Sequence, residues 1–131
     1  MKPMTTGAKR IMVIEDEPTV KEFCHRVLSE AGFTVDTAVQ GRSARSMIQK
    51  QNYDLLIIDL RMPVMNGQDF YRYLTDTNPR LARRVIFTTG DVICPQTRHF
   101  IQHCHQPFLL KPFTPDELRG IVHQTLRRTG K

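Results

Sequence analysis

The chain has 131 residues, of which 40% are hydrophobic and 24% charged, with a formal net charge of +6. That length suits one domain around one core, and that balance excludes an intrinsically disordered chain. No apolar stretch reaches the length of a membrane span, residues 1–7 lack the apolar core of a secretion signal, and the three cysteines have no disulfide-framework spacing. The expectation is a cytoplasmic protein, away from the membrane, with Cys24, Cys94 and Cys104 as reduced thiols. The positive residues, Arg42, Arg72, Arg83 and Arg98 among them, are scattered and carry no helix-turn-helix, zinc-finger or RNA-binding signature. They predict a solvated surface suited to an acidic protein partner, with no direct contact to nucleic acid.

In chain order, Ile11-Met12-Val13-Ile14 is a compact apolar strand. Pro18 then sits where a helix can begin, Val20, Phe23, Val27, Leu28 and Ala31 follow at helical spacing, and Gly32 ends it. Phe33 to Ala38 alternates and predicts a second, more exposed strand. Gly41 and Ser43 open a helix with Ala44, Met47 and Ile48 inward. Leu55 to Asp59 is a third strand, apolar until its last residue. Pro63 and Gly67 punctuate the next loop, and Phe70, Tyr71 and Leu74 mark a third helix that stops before Asn78-Pro79.

Arg84 to Thr89 is a fourth strand. Pro95 to His103 is a weak helix whose apolar face is only Phe100, Ile101 and Cys104. Phe108-Leu109-Leu110 is a short fifth strand. Thr114-Pro115-Asp116-Glu117 offers a cap, a first-turn proline and a capping-box glutamate for a last helix carrying Leu118, Ile121, Val122 and Leu126 inward. Five strands separated by helices need crossover connections, hence one doubly wound α/β sandwich with a mostly parallel sheet. Residues 1–9 are expected to be a flexible leading segment, 10–128 the single domain and 129–131 a tail.

The polar residues fall at strand ends. Glu15 and Asp16 follow the first strand, Asp59 ends the third, Thr88 and Thr89 end the fourth, and Lys111 follows the fifth. In a parallel sheet these share the carboxyl edge, where ligands gather. Three carboxylates packed together repel unless a cation neutralises them. Oxygen-only donors suit Mg2+ or a similar hard ion, and a lysine suits a phosphoryl oxygen. An aspartate can itself act as nucleophile and form an acyl phosphate. His99, His103, Cys104 and His105 form a second cluster, with His99 and His103 at a spacing used in metal sites. Orienting partners for them are not evident in the sequence, and a polar helix face accounts for them.

Four segments carry a family resemblance: Ile11 to Pro18, Leu56 to Gly67, Val85 to Gly90 and Leu110-Lys111-Pro112-Phe113. In that order they resemble the receiver domains of bacterial two-component response regulators, over about Arg10 to Leu126. The resemblance implies a flavodoxin-like fold with strand order 2-1-3-4-5. It makes Asp59 the phosphoacceptor for a histidine kinase or phosphotransfer protein. It makes Glu15, Asp16, Asp59 and the backbone carbonyl of Arg61 the ligands of Mg2+ (or Mn2+), with Glu15 the more indirect. Thr89 becomes the switch hydroxyl, Lys111 the phosphate partner and Phe108 the switch aromatic, with a cis Lys111–Pro112 bond. A downstream protein would meet the face built by the helix near residues 95–104, the fifth strand and the last helix, and a homodimer would form through the last strand and helix.

Departures from the family pattern are Glu15 where aspartate is usual, Phe108 for tyrosine, Gly90 for alanine and Gln106-Pro107 before the fifth strand. Arg61 and Asp91, of opposite charge, flank the expected site mouth and are read as two solvated side chains. The expected role is a signalling switch that assists its own phosphoryl transfer and hydrolysis, not a metabolic enzyme. The rival readings are a receiver segment of a hybrid histidine kinase, an aspartate-nucleophile phosphatase and a receiver that is never phosphorylated. The phosphatase reading needs a second aspartate two residues past the nucleophile, where this chain has Arg61.

Overall fold

The computed structural model of the protein describes residues 8–61, 66–90 and 94–129. The leading residues 1–7, Pro63, Asp91 and residues 130–131 lie outside the described residues. The strands are β1 (Arg10–Ile14), β2 (Thr34–Ala38), β3 (Leu55–Asp59), β4 (Val85–Thr89) and β5 (Phe108–Leu110). The helices are α1 (Pro18–Glu30), α2 (Gly41–Lys50), α3 (Gly67–Thr77), α4 (Pro79–Ala82), α5 (Pro95–Cys104) and α6 (Pro115–Thr129). All strand pairs are parallel, in the order β2-β1-β3-β4-β5, as the resemblance implies.

Period-2 alternation sorts the strand residues into two layers. Ile11, Val13, Leu55, Ile57 and Leu109 pack against Val27, Leu28, Leu118 and Val122 of α1 and α6. Met12, Ile14, Leu56, Ile58 and Phe87 pack against Ala44, Phe70, Leu74 and Leu81 of α2, α3 and α4. β1, β3 and β4 are covered on both sides, which is why they read as unbroken apolar runs. β2 lies at the sheet edge and is mostly half-buried. Its Asp36 accepts from the Tyr53 hydroxyl at 2.7 Å and from the Arg10 guanidinium at 3.2 Å.

Local signals place the helix ends. Gly32 has φ +101°, so the chain leaves α1 in a conformation that favours glycine. Thr114 and Glu117 make the reciprocal capping box of α6: Glu117 N donates to Thr114 Oγ1 at 3.1 Å and Thr114 N to Glu117 Oε1 at 2.8 Å. One element departs from the sequence expectation. Asn78-Pro79 stops α3 as predicted, yet it also starts the short α4. The Asn78 amide closes α3 on the Leu74 carbonyl at 2.7 Å, while its side chain accepts from Leu81 N at 3.3 Å. Pro79 takes the first helical position, where its missing N–H costs nothing. The purely local spacing of four residues was too short to show as a period.

α5 spans Pro95–Cys104 as expected, with Thr97 its one buried residue. Cys24, Cys94 and Cys104 are thiols outside any disulfide, in keeping with the reading from spacing. Among the described residues no helix is long and apolar enough to cross a membrane.

Candidate functional site

The strand rows lead directly to the site. The Glu15 amide donates to the Ala38 carbonyl at 2.9 Å, and the Lys111 amide to Thr89 O at 2.9 Å, so both extend their strands by one ladder position. Glu15 therefore continues the row Ile11, Val13; Asp59 continues Leu55, Ile57; and Lys111 follows Leu109. All three rows belong to the layer covered by α1 and α6. The side chains converge at the carboxyl edge. Lys111 Nζ lies 3.1 Å from Glu15 Oε1, 3.3 Å from Glu15 Oε2 and 3.2 Å from Asp59 Oδ2.

Burial makes this contact consequential. Glu15 is 2% exposed and Asp59 4%. Asp59 Oδ1 accepts the Arg61 amide at 3.0 Å, and Glu15 Oε2 accepts the Glu17 amide at 3.2 Å. Asp16 is exposed, and one carboxylate oxygen each from Glu15, Asp16 and Asp59 lies within 4.8 Å of the others. One ammonium faces an excess of negative charge. Burial and the Asp59 charge push the Glu15 carboxyl up to about 7, against the opposing pull of Lys111. For Lys111, burial works to lower the pKa, but the Glu15 hydrogen bond and the two carboxylate charges outweigh it, and the net shift is upward.

These residues fit a hard divalent cation. The donors are all oxygen, they are close enough to share one ion, and burial together with the Asp59 charge already raises the glutamate. Cys24 lies buried beneath them, and burial with the Glu15 charge pushes its thiol up to about 12, so it stays protonated.

Thr89 is fully buried at the end of β4, and its carbonyl holds the Lys111 amide. It continues the row Val85, Phe87, which belongs to the opposite layer from Asp59. Phe108 pairs with Phe87 in register and lies 5.5 Å from it between ring centroids. Phe87 also meets Phe100 of α5 at 5.1 Å and Tyr71 of α3 at 5.4 Å. Sequence reasoning named Phe108 alone. The aromatic cluster around it needed the helix positions, although Tyr71 and Phe100 were already visible as inward residues.

Arg61 sits on the exposed rim beside Asp59. The Lys111–Pro112 peptide is cis, as the resemblance implies. Glu15 contacts Lys111 directly, its Oε2 3.3 Å from the ammonium. Gly67 proves to be more than a loop marker. A Cβ there would come within 2.8 Å of Leu60 Cα and 3.0 Å of Asp59 O, so only glycine lets α3 start against the Asp59–Leu60 backbone. Gly90 has no such constraint, since a Cβ would meet only Lys111 Cβ at an ordinary 3.9 Å.

The sequence profile of the response regulator receiver domain matches residues 11–123. The chain belongs to the response regulator receiver domains. It is 32% identical to the alkaline phosphatase synthesis transcriptional regulatory protein SphR of Synechococcus elongatus, over 97% of this chain and 52% of that protein. It thus spans about half the length of that relative. A signal receiver domain of a histidine kinase from Syntrophus aciditrophicus superposes with TM-score 0.83 at 28% identity, over 92% of both chains. TrrA of Thermotoga maritima, solved in complex with Mg(2+)-BeF, superposes with TM-score 0.76 at 29% identity, over 90% of this chain and 99% of that one.

The Glu15 shift carries a prediction for this receiver domain in Mg2+-free buffer. Its folded-state pKa of about 7 lies above the reference value of 4.5, so between those pH values the folded state holds a proton that the unfolded chain has lost. Stability attributable to Glu15 therefore falls as pH rises through this window, by an amount on the order of 2–3 kcal/mol. Urea denaturation from pH 4.5 to 8 should show this slope in the wild type and lose it in Glu15→Gln. An identical slope in both proteins would contradict the assignment.

Proposed function

We propose that this receiver domain accepts a phosphoryl group on Asp59 from a histidine kinase or phosphotransfer protein. The observation that carries the reading is the Lys111 ammonium 3.2 Å from Asp59 Oδ2, in a pocket shared with Glu15 and Asp16. Lys111 and the Arg61 amide hold the two oxygens of the nucleophile, so the carboxylate is oriented before a donor arrives. Transfer breaks the donor histidine's N–P bond and forms an Asp59 O–P bond, and the released imidazole takes up a proton. Lys111 is placed to pair with an oxygen of the new phosphoryl group. Glu15, Asp16, Asp59 and the Arg61 carbonyl would hold Mg2+ or Mn2+, which supplies neutralising charge for the phosphoryl oxygens. Support for the metal comes from the all-oxygen donor set and from the Mg(2+)-BeF complex of the related TrrA.

An apolar groove of about 400 Å3 runs beside Lys111, lined by Val20, Phe23, Pro112 and Phe113 with Glu17 and Thr19. It offers a donor protein apolar surface next to the acceptor. With Arg61 in the place where aspartate hydrolases carry an acid, the chemistry favours a signalling switch over a turnover enzyme. The cytoplasm, where kinase and phosphodonor meet, is the proposed location.

The switch follows from the two layers. Phosphoryl on Asp59 draws the Thr89 hydroxyl and Lys111 toward it. Thr89 lies on the row of Phe87, and Phe87 contacts Phe108 and Phe100, so displacement at β4 reaches β5 and α5. The face of α5, β5 and α6, with Leu110 exposed on it, then changes shape and meets a downstream protein or a second copy of the chain.

Two experiments test this. Intact mass after acetyl phosphate and Mg2+ should show one phosphoryl adduct on the wild type and none on Asp59→Asn; an adduct that survives the substitution would refute the acceptor assignment. Beryllofluoride with Mg2+ should shift backbone amides both at the acceptor and across residues 100–110 in the wild type. In Thr89→Ala the acceptor shifts should persist while those of α5 and β5 collapse. Full α5 and β5 shifts in that variant would break the proposed coupling.

A further inference from the structure

Outside the acidic pocket, two histidines of α5 stand out. His99 and His103 lie one turn apart on its exposed face, with ring centroids 4.2 Å apart and planes tilted by 32°. The sequence showed this spacing but no group to orient the rings. The structure supplies one: His103 Nδ1 lies 2.8 Å from the His99 carbonyl oxygen. A carbonyl only accepts, so Nδ1 carries the proton and the neutral ring keeps its lone pair on Nε2. Nε2 is then the ring nitrogen left for a ligand. Anchoring the non-ligating nitrogen on a backbone carbonyl is the arrangement that prepares a histidine for metal.

We propose that His99 and His103 chelate a borderline divalent transition ion, Zn2+, Ni2+ or Cu2+, on the outer face of α5. Imidazole nitrogens select such ions over Mg2+, so this site and the acidic pocket divide the metals between them. His103 keeps its Nδ1 anchor, while the exposed His99 ring can turn about its soft Cβ–Cγ bond to bring a nitrogen beside the His103 Nε2. The neighbours do not join. His105 leaves the helix in a left-handed conformation, φ 63°, and half-buried Cys104 packs against the core. The only group of three or more metal-binding side chains among the described residues is Glu15, Asp16 and Asp59. The chelate is therefore two-coordinate from protein, with its other positions open to water or a second molecule.

The location gives the ion a consequence. Bridging two residues one turn apart stabilises the helical form of α5, since the unfolded segment does not hold the pair in place. α5 carries Phe100, which contacts Phe87 and Phe108. A bound ion thus stiffens the helix through which the aromatic cluster reaches the surface.

Calorimetric titration of the untagged full chain with ZnCl2 and with NiCl2, in excess Mg2+, tests the site. The expected result is one ion per chain with affinity on the order of micromolar. His99→Ala and His103→Ala should each weaken it by about tenfold or more, while His105→Ala and Cys94→Ser/Cys104→Ser leave it unchanged. Thermal melts of His99→Ala and His103→Ala should match the wild type without added ion, and Zn2+ should raise the midpoint of the wild type and of the His105 and cysteine variants but not of these two. Absence of a saturable site, survival of binding in the His99→Ala/His103→Ala double variant, or loss of binding with the cysteines would overturn the proposal.

Discussion

One ammonium group holds the carboxyl edge of this sheet together. Lys111 reaches Glu15 across 96 residues of chain and Asp59 across 52, and both acids are almost wholly buried. Taking either carboxylate out of water is expensive, and a buried charge stripped of its partner destabilises by several kcal/mol. The lysine is thus the resident counter-ion of the pocket. Burial first and the Asp59 charge second hold the Glu15 proton to about 7, and with one ammonium against the carboxylates the pocket has room in its charge balance for a further cation. A site held in this state is sensitive to the count of charges, which the proposed phosphorylation of Asp59 would alter directly.

In the proposed switch, the strand rows connect the local event to the surface. Glu15, Asp59 and Lys111 stand in rows that face α1 and α6, whereas Thr89 stands in the row that faces the aromatic cluster. The Lys111 amide is hydrogen-bonded to Thr89 O, so the two rows meet at one point of backbone. Chemistry on one side of the sheet and packing on the other share that junction. Close-packed rings at 5.1–5.5 Å transmit a displacement better than a loose surface would. Phe108 carries no hydroxyl that would need a partner on turning inward, so the proposed switch relies on packing.

Much of the fold was legible because its strands are short, apolar and bounded by glycine, proline and capping residues. The capping box at Thr114 and Glu117 and the glycine end of α1 at Gly32 appear in the structure as their spacing predicts. The convergence of Glu15, Asp59 and Lys111 was legible from a single premise, a parallel sheet, which sends every strand end to one edge. Three features were not. α4 is one turn long, so it has no period to detect. The direct Glu15–Lys111 contact depends on side-chain reach across β1, β3 and β5, which pairing order alone does not specify. The role of Gly67 depends on a close approach to the Asp59–Leu60 backbone that only the packed turn reveals.

The central claim is that Lys111 offsets the buried negative charge of the pocket. A double-mutant cycle in urea at pH 8, without divalent cations, measures it. Lys111→Met alone should lower stability by about 3 kcal/mol, because it leaves buried carboxylates without their cation. In the Glu15→Gln background the same change should cost less by about 1–3 kcal/mol, the coupling expected of groups in direct contact. Additive effects of the two substitutions would contradict the account, since they would mean that the lysine and the glutamate do not sense each other.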